Sequence, residues 1–342
     1  MSDTDLAMAK VTLQSVADEV GVSRMTVSNA FSRPDQLSKE LRERILATAE
    51  RLGYSGPDPA ARALARGRTG SVGLLLNGPL SESFEDAVSA EFVAAVADEL
   101  TRRGLALTVL PPPQDDGFLP ARDVAVDGAL VYTCDPASAG VAWLGRRKLP
   151  VVAVDQDLGE DVTTIGVDDL GGARAGAQHL LDLGHRRIGV LALTDQFALD
   201  PPNRDRLLGW RETLAEHGVE PVIARTTLLP VSAALVAATE LLESSDVTAV
   251  LCFDDVFARA VIAAATALGR SVPDDLSVVG YDDSRVATAG LPALTTVRQD
   301  VTAKGHLAAG ALADLLGGRE ASSHTLPTEL IVRDSTGPVP TP

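Results

Sequence analysis

The sequence predicts a small all-α helix-turn-helix head followed by a large α/β core of two doubly wound, parallel-sheet lobes. Three observations lead to this fold class. Apolar residues near the N-terminus follow a helical spacing that is interrupted once, strand-length apolar runs later alternate with Ala-rich helical segments, and the chain has 342 residues. That length exceeds one ordinary core and fits a small module joined to a two-lobed body.

The head begins with the stretch VTLQSVADEVGVSRMTVSNAF at 11–31. Its apolar residues have helical spacing on both sides of Gly21, which supplies the backbone freedom of a tight turn, and Ser23 can cap the second helix. Ser38 can cap a third helix that ends at Gly53. The pattern predicts two short helices joined by a fixed turn and a third that closes their core. On its own it indicates DNA binding only weakly, because helical hairpins are common in protein cores.

A short helix is predicted to follow the head in SGPDPAARALARGRTG. Asp58 is a suitable N-cap, Pro59 fits the first helical position and Gly67 can end the helix. A helix of this length is marginal in isolation. We therefore expect it to form only against a dimer mate or DNA.

From Ser71 onward, apolar runs alternate with Ala-rich helical segments, as in SVGLLLN, GALVYT, RIGVLAL, TAVLCF and LSVVGYDD. Such alternation predicts parallel sheets with crossover helices, and the units are too many for one sheet. Ligands of these sheets bind at the carboxyl ends of the strands, here in a cleft between two lobes. The expected domain boundaries are 1–57 for the helix-turn-helix domain, 58–69 for the hinge helix and linker, 70–337 for the core and 338–342 for a tail. Within the core, lobe 1 is expected at about 70–166 and 297–321, and lobe 2 at about 167–296 and 322–337.

Charge is divided between the predicted domains. The net charge is −17, yet residues 1–68 hold 10 basic and 9 acidic side chains, so the remainder carries −18. DNA would repel the acidic core unless a separate domain makes the contact. The charge distribution therefore favours a DNA-binding head tethered to a distinct ligand-binding core.

The composition also limits the location and chemistry of the protein. No leader peptide or membrane-length apolar run is found, so the sequence predicts a cytoplasmic protein without a membrane partner. Cys134 and Cys252 are predicted to be small core residues, and the five histidines show no metal-ligand spacing. No nucleotide-binding glycine motif or nucleophile elbow occurs. We expect no metal, no cofactor and no enzymatic activity.

The second predicted helix carries side chains suited to nucleic acid. Arg24, Met25, Thr26, Ser28 and Asn29 surround an apolar Val27 and provide the chemistry of base-edge and phosphate contacts. An ordinary solvated surface more often carries Glu and Lys.

Taken together, these segments resemble the lactose-repressor (LacI/GalR) family of bacterial regulators over nearly the whole chain. The resemblance rests on the motif at 11–31, on LSKELRERILATAERLGY, on PAARALARGRTGSVGLLL and on the later GARAGAQHLLDLGHRRIGVL, RLLGW and SVPDDLSVVGYDD. It implies lobes of periplasmic-binding-protein type I architecture. It also implies a homodimer, or a tetramer, on double-stranded operator DNA.

The resemblance implies roles in DNA binding. Arg24 would read guanine bidentately and Met25 would offer only apolar contact. Asn29 stands where the family often has Arg, which leaves its partner open. Leu64 matches the hinge-helix leucine that wedges into the minor groove, the alternative being a dimer-seam leucine, and Ala61 must be small to let that helix approach. The complete predicted set is Thr12, Ser23, Arg24, Met25, Thr26, Ser28, Asn29, Tyr54, Ala61 and Leu64.

The resemblance also implies an effector site in the core. Arg206 matches an arginine that reaches the effector, and Asp255 matches an acid that accepts hydrogen bonds from sugar hydroxyls. The family's usual Asn-Asp pair appears here as Asp254-Asp255, which adds a carboxylate. The full set of expected effector contacts is Ser83, Phe84, Asp155, Arg206, Asp254, Asp255 and Asp282. Helix capping or turn formation is the alternative role for these Asp and Ser residues.

The function expected from these features is that of a ligand-responsive regulator, a repressor whose operator affinity depends on a sugar-like small molecule. A solute-binding protein of a transport system is the alternative, because such proteins share the two-lobed body, but the head and the missing leader oppose it. A sugar-modifying enzyme is disfavoured because no paired acid and base or nucleophile constellation is found.

Overall fold

The computed structural model describes residues 11–340 except 77, 79, 113–116, 195–199 and 229. The chain forms two compact units, and the division falls between Thr69 and Gly70. No helix among the described residues is long and apolar enough to cross a membrane.

The first unit contains the predicted helix-turn-helix. Gly21 ends the first helix at φ 76°, and the side chains of Ser23 and Ser38 cap the second and third helices through the backbone N–H groups of Thr26 and Leu41. The three helices close over a small core of Val16, Ala17, Val27, Ala30, Ile45 and Ala49. The helices of this unit are α1 (Leu13–Val20), α2 (Arg24–Ser32), α3 (Lys39–Leu52) and α4 (Pro59–Arg66), with a short 3₁₀ turn at Pro34–Gln36.

Helix α4 has the predicted ends. The Asp58 carboxylate accepts hydrogen bonds from the N–H groups of Ala60 and Ala61, Pro59 occupies the first position and Gly67 closes the helix at φ 66°. No residue of α4 is buried. An eight-residue helix with no buried face gains little from packing within its own chain, which is consistent with a need for a partner.

The first lobe is built on a six-stranded sheet in the order β11-β5-β4-β3-β1-β2. All of its pairings are parallel, as the strand and helix alternation predicted. Its strands are β1 (Ser71–Leu76), β2 (Ala106–Leu110), β3 (Gly128–Tyr132), β4 (Val151–Val154), β5 (Thr163–Val167) and β11 (His324–Leu326). Its helices are α5 (Leu80–Glu85), α6 (Ala87–Arg102), α7 (Pro120–Asp123), α8 (Ala139–Arg146) and α14 (Val301–Leu316).

The second lobe repeats this plan in the order β12-β10-β9-β8-β6-β7, with one antiparallel edge strand. Its strands are β6 (Ile188–Leu193), β7 (Val222–Thr226), β8 (Ala249–Cys252), β9 (Ser277–Asp282), β10 (Thr295–Arg298) and β12 (Glu329–Ile331). Its helices are α9 (Asp169–Asp182), α10 (Pro201–Glu216), α11 (Val231–Ser244), α12 (Asp255–Ala267) and α13 (Arg285–Thr288).

The chain crosses between the lobes at places that correct the predicted boundaries. The segment 322–326 was assigned to lobe 2, but β11 pairs with β5, where Thr325 lies opposite Gly166, and therefore completes lobe 1. Residues 297–298 were assigned to lobe 1, yet they end β10 in the sheet of lobe 2. The predicted tail also begins too early, since the Val339 N–H donates to the Leu183 carbonyl.

Several buried polar groups hold the second lobe together. The His185 ring, fully buried, lies within hydrogen-bond distance of the Thr248 and Ser277 hydroxyls and of the Gly337 carbonyl. It thus joins Thr248, which precedes β8, and Ser277 of β9 to the C-terminal segment. Cys134 and Cys252 are free, buried thiols, as predicted.

Candidate DNA interface and interlobe cleft

The exposed side of α2 holds the predicted base-reading residues. Arg24 and Met25 open the helix and face solvent, with Met25 69% exposed, while Val27 beneath them is fully buried. An exposed methionine at the start of a short helix contributes nothing to the head's own core. Its position fits contact with another molecule.

The other predicted contacts of the head have local roles as well. Thr12 and Ser23 are the N-caps of α1 and α2, and the backbone N–H of Thr26 donates to the Ser23 hydroxyl. The Asn29 side-chain amide donates to Gln36 Oε1 at 3.1 Å, and Tyr54 packs edge-on against Phe31. Ser28 is partly exposed on the same helix as Arg24.

Leu64, the one large apolar side chain of α4, is 87% exposed. Ala61 lies three residues earlier, so both occupy one face of the helix. The exposed small residue beside the exposed leucine leaves room for a close approach by whatever covers this face.

The carboxyl ends of the parallel strands in both lobes meet at a cavity of about 200 Å³, hereafter the interlobe cleft. Among the described residues, its charged lining comprises six carboxylates and two cations, namely Asp86, Asp155, Asp169, Asp200, Asp254 and Asp282 with Arg206 and Lys304. The carboxylates outnumber the cations, which gives the cleft a negative potential. A neutral or cationic ligand therefore fits it better than an anion does.

Arg206 lies at the centre of the cleft wall in lobe 2. Its guanidinium contacts Asp169 at 2.8 Å and Asp282 at 3.2 Å and donates to the Phe253 carbonyl at 2.6 Å. Its charged end also lies 3.6 Å from the ring centroid of Tyr281. Burial opposes the charge, but the two carboxylates keep the pKa of Arg206 above its usual value. The side chain is therefore charged and fixed in orientation.

Asp155 and Lys304 form a buried ion pair on the lobe 1 side, with 2.5 Å between Oδ2 and Nζ. Burial raises the pKa of Asp155, against the lowering effect of Lys304. Lys304 also donates to the Gln299 side chain, whose amide donates to Asp282. A continuous chain of polar contacts thus links Lys304 in lobe 1 to Asp282 and Arg206 in lobe 2.

The two neighbouring acids at the start of α12 differ in position. Asp254 lines the cleft and caps α12 by accepting the Phe257 N–H, and burial raises its pKa to about 8. Asp255 is 1% exposed and lies outside the cleft lining, with its oxygens held by Thr296 and Ser284. Burial also raises the pKa of Asp255, to about 7. The geometry therefore favours Asp254 over Asp255 as the ligand contact, whereas the family resemblance assigned that role to Asp255.

The two remaining predicted effector contacts, Ser83 and Phe84, also differ in whether they line the cleft. Ser83 lines the cleft, whereas Phe84 is absent from its lining and 52% exposed. Both lie in the short helix α5, which turns consecutive side chains in different directions.

Sequence reasoning missed Asp86, Asp169, Gln299 and Lys304, all of which line the cleft. Lys304 gave a usable signal. It lies three residues after Val301 and four before Ala308, both buried, so helical periodicity puts its charge on the buried face of α14. No group of three potential metal ligands occurs among the residues that the structure describes.

Comparison with known proteins matches both units. The model of bacterial regulatory proteins of the lacI family matches residues 12–56, and the model of periplasmic binding protein-like domains matches 177–336. The HTH-type transcriptional regulator Rv3575c of Mycobacterium tuberculosis is 37% identical over 353 residues, which cover 96% of this chain and 98% of that protein.

Two solved structures resemble the whole fold. The lac repressor dimer bound to operator and the anti-inducer ONPF matches with a TM-score of 0.82 at 26% identity, covering 96% of this chain and 99% of that one. The complex of transcriptional regulator CelR with cellobiose matches with a TM-score of 0.70 at 29% identity, covering 95% and 100%. These likenesses confirm the predicted head and the two-lobed core.

Proposed function

Because the chain belongs to the LacI family of bacterial transcriptional regulators, and is therefore a regulator and not an enzyme, we propose that it acts as an effector-controlled repressor in the cytoplasm. It binds a palindromic operator as a homodimer, and a sugar-like ligand in the interlobe cleft changes its operator affinity. The observation that carries this proposal is the cleft, where oriented, buried polar groups from both lobes converge.

The exposed start of α2 supports the proposed base reading. Arg24 can reach guanine O6 and N7 with two donors, whereas Met25 can only contact a thymine methyl or another apolar edge. Thr12, Ser23, Thr26, Ser28 and Tyr54 are the proposed positioners on the phosphate backbone, together with Asn29, whose DNA partner the chemistry does not assign. Sequence preference should therefore depend chiefly on Arg24.

An exposed apolar groove on lobe 2 supports a dimer. It is lined by Val231, Leu235, Val256, Ala260 and Val286, and Val231 and Leu235 are 49% and 41% exposed. The occupant that we propose is the same groove of a second copy, as the lac repressor match is itself a dimer on operator DNA. Two-fold symmetry would present two heads to two half-sites.

The polar chain between the lobes supports the proposed coupling. Gln299 links Lys304 to Asp282, so a ligand that replaces any of these contacts changes the energy of one lobe arrangement relative to another. If the two arrangements also differ in operator affinity, ligand and operator affect each other reciprocally. Arg206, Asp254, Asp282, Asp155 and Ser83 are the proposed effector contacts.

A gel-shift experiment with the full chain tests the DNA proposal. The protein should bind a palindromic duplex selected from a random pool more tightly than random duplex at moderate salt. Arg24→Ala should relax preference at one symmetric pair of positions and cost about 1–3 kcal/mol per contact. Lack of preference for any palindrome would contradict the proposed function, and an unchanged base preference in Arg24→Ala would move the reading to other residues.

Leu64→Ala should weaken binding to the palindrome by about tenfold or more while leaving random duplex binding nearly unchanged, because a minor-groove wedge acts only on the kinked specific site. Arg66→Ala on the same helix is the matched control. As an exposed cation in the last turn of α4, Arg66 is expected to contact phosphate, which carries no sequence information, so its loss should weaken binding to both duplexes to similar extents. Equal losses on both duplexes for Leu64→Ala would identify Leu64 as a structural residue instead.

A further inference from the structure

A second, larger cavity adjoins the interlobe cleft. It measures about 640 Å³ and shares Thr133, Asp155, Asp169 and Asp200 with the cleft lining. Its walls come from the segments after β3 and β4 in lobe 1 and from the start of α10 in lobe 2. We call this cavity the acidic chamber.

The charge of the acidic chamber is one-sided. Among the described residues, seven carboxylates and one cation, Arg204, line it, and that guanidinium already contacts Asp205 at 2.7 Å. Two of the seven, Asp155 and Asp169, are paired with Lys304 and Arg206 from the cleft side, which leaves an excess of carboxylates. Clustered carboxylates between low-dielectric walls concentrate negative potential in the cavity. Anionic ligands such as sugar phosphates are repelled there, and cations are attracted.

Two buried acceptors in the chamber wall receive no hydrogen bond from any residue that the structure describes. They are Asp155 Oδ1 and Gln156 Oε1, and the two residues are only 8% and 5% exposed. Their other ends are fixed, since Lys304 holds Asp155 Oδ2 and the Gln156 amide donates to the Val131 carbonyl at 2.9 Å. A buried polar atom without a partner destabilises the folded protein, so a donor from a ligand is favoured at both positions.

Asp200 provides the third observation. It caps α10 by accepting the Asn203 N–H, and none of the described cations forms an ion pair with it. Burial raises the pKa of Asp200 to about 6. A positive group beside it would lower that pKa and remove the electrostatic cost of its charge.

We infer that the acidic chamber binds the protonated amine of an amine-bearing effector whose remaining, hydroxyl-rich or aliphatic part lies in the interlobe cleft. An ammonium group has three donors and no acceptor, which matches two donor-less acceptors and a surrounding excess of carboxylates. A neutral hydroxyl satisfies the acceptors but not the charge. This inference rests on the proposed function, because it specifies the ligand class of the same regulatory site.

Two matched probe pairs test the inference by isothermal titration of the full chain at physiological salt. Glucosamine is compared with glucose, and putrescine with 1,4-butanediol, so that each pair differs by the presence of ammonium groups. In at least one pair the ammonium probe should bind about tenfold or more tightly than its neutral partner. The pair with the larger ratio distinguishes an amino sugar from an aliphatic polyamine.

Two aspartate variants locate the binding site. Asp200→Asn keeps an N-cap acceptor for α10 but removes the charge, so the affinity ratio should fall to about threefold or less. Asp168→Asn makes the same change at the exposed N-cap of α9, outside the chamber lining, and should retain the ratio.

Equal affinities of the ammonium and neutral probes within both pairs would overturn the inference. So would the absence of binding of either ammonium probe at about 50 mM, which corresponds to less than about 2 kcal/mol of binding free energy. An equal loss of the affinity ratio in both aspartate variants would overturn it as well. The palindrome preference in the gel-shift experiment needs no ligand. It would survive any of these results, so failure of the ligand class is distinguishable from failure of the proposed regulator.

Discussion

Replacement of Arg206 by methionine is expected to lower the free energy of unfolding of the second lobe by about 3–5 kcal/mol, because it leaves two buried carboxylates without their cation. Asp169 and Asp282 both contact this guanidinium, and both are buried. Urea unfolding followed by fluorescence in a Trp143→Phe background reports on this lobe, because Trp210 is then the only tryptophan and lies buried one helical turn further along α10.

Arg204→Met is the matched control for that experiment. Arg204 lies in the same helix and pairs with Asp205, but its side chain is 58% exposed, so its loss should cost less than about 1 kcal/mol. Arg206→Lys keeps the charge without the planar fork and should give an intermediate loss. Equal losses for Arg206→Met and Arg204→Met would show that the buried network contributes nothing to stability.

The second large effect is expected on the pH dependence of the stability of the core. Asp254→Asn should flatten the pH dependence of core stability and make the protein more stable than wild type by about 2–4 kcal/mol above pH 8. Burial, with a further contribution from Asp282, raises the pKa of Asp254 to about 8, far above its value in an unfolded chain. Asparagine retains the cap on α12 and is the residue that this family usually carries here.

The sign of this pH dependence of stability follows from the proton that Asp254 binds. Between about pH 4 and pH 8 the folded chain keeps a proton on Asp254 that the unfolded chain has released. This contribution to stability is complete below the unfolded pKa and is lost as the pH rises through the folded one. In Asp254→Asn the free energy of unfolding should still fall as the pH rises, but less steeply, because burial raises the pKa of Asp255 to about 7.

Urea midpoints at pH 5.5, 7 and 8.5, read from tryptophan fluorescence, check this expectation. Both tryptophans, Trp143 and Trp210, lie in the core and none lies in the head, so the signal reports on the lobes alone. Asp300→Asn, at the exposed N-cap of α14, should leave the wild-type pH profile unchanged. Parallel profiles for Asp254→Asn and wild type would refute the assignment of the proton to Asp254.

Local signals in the sequence were sufficient for most of the fold. The caps at Ser23, Ser38 and Asp58 and the terminating glycines predicted the helix ends of the head, because capping depends on a few neighbouring residues. The strands β11 and β12 were missed. Each has only three residues and is formed by pairing with a distant strand, so periodicity within the segment carries little information about it.

The cleft was predictable in location but only partly in composition. Asp254 follows β8 and Asp282 ends β9, where ligand sites of parallel sheets are expected, whereas Arg206 reaches the cleft from within α10. Whether a carboxylate faces the cavity or the interior depends on the tertiary packing. Asp255 shows this, since Thr296 and Ser284, 41 and 29 residues away, hold its oxygens beneath the cleft.

The position of the last two strands affects how the protein can be made. The head needs nothing beyond Thr69, whereas the sheet of lobe 1 is completed only by β11 and that of lobe 2 only by β12. On the ribosome the DNA-binding head can therefore fold first, whereas both lobes can complete their sheets only after nearly the whole chain has emerged. A premature stop anywhere before residue 324 would remove an edge strand from both sheets at once.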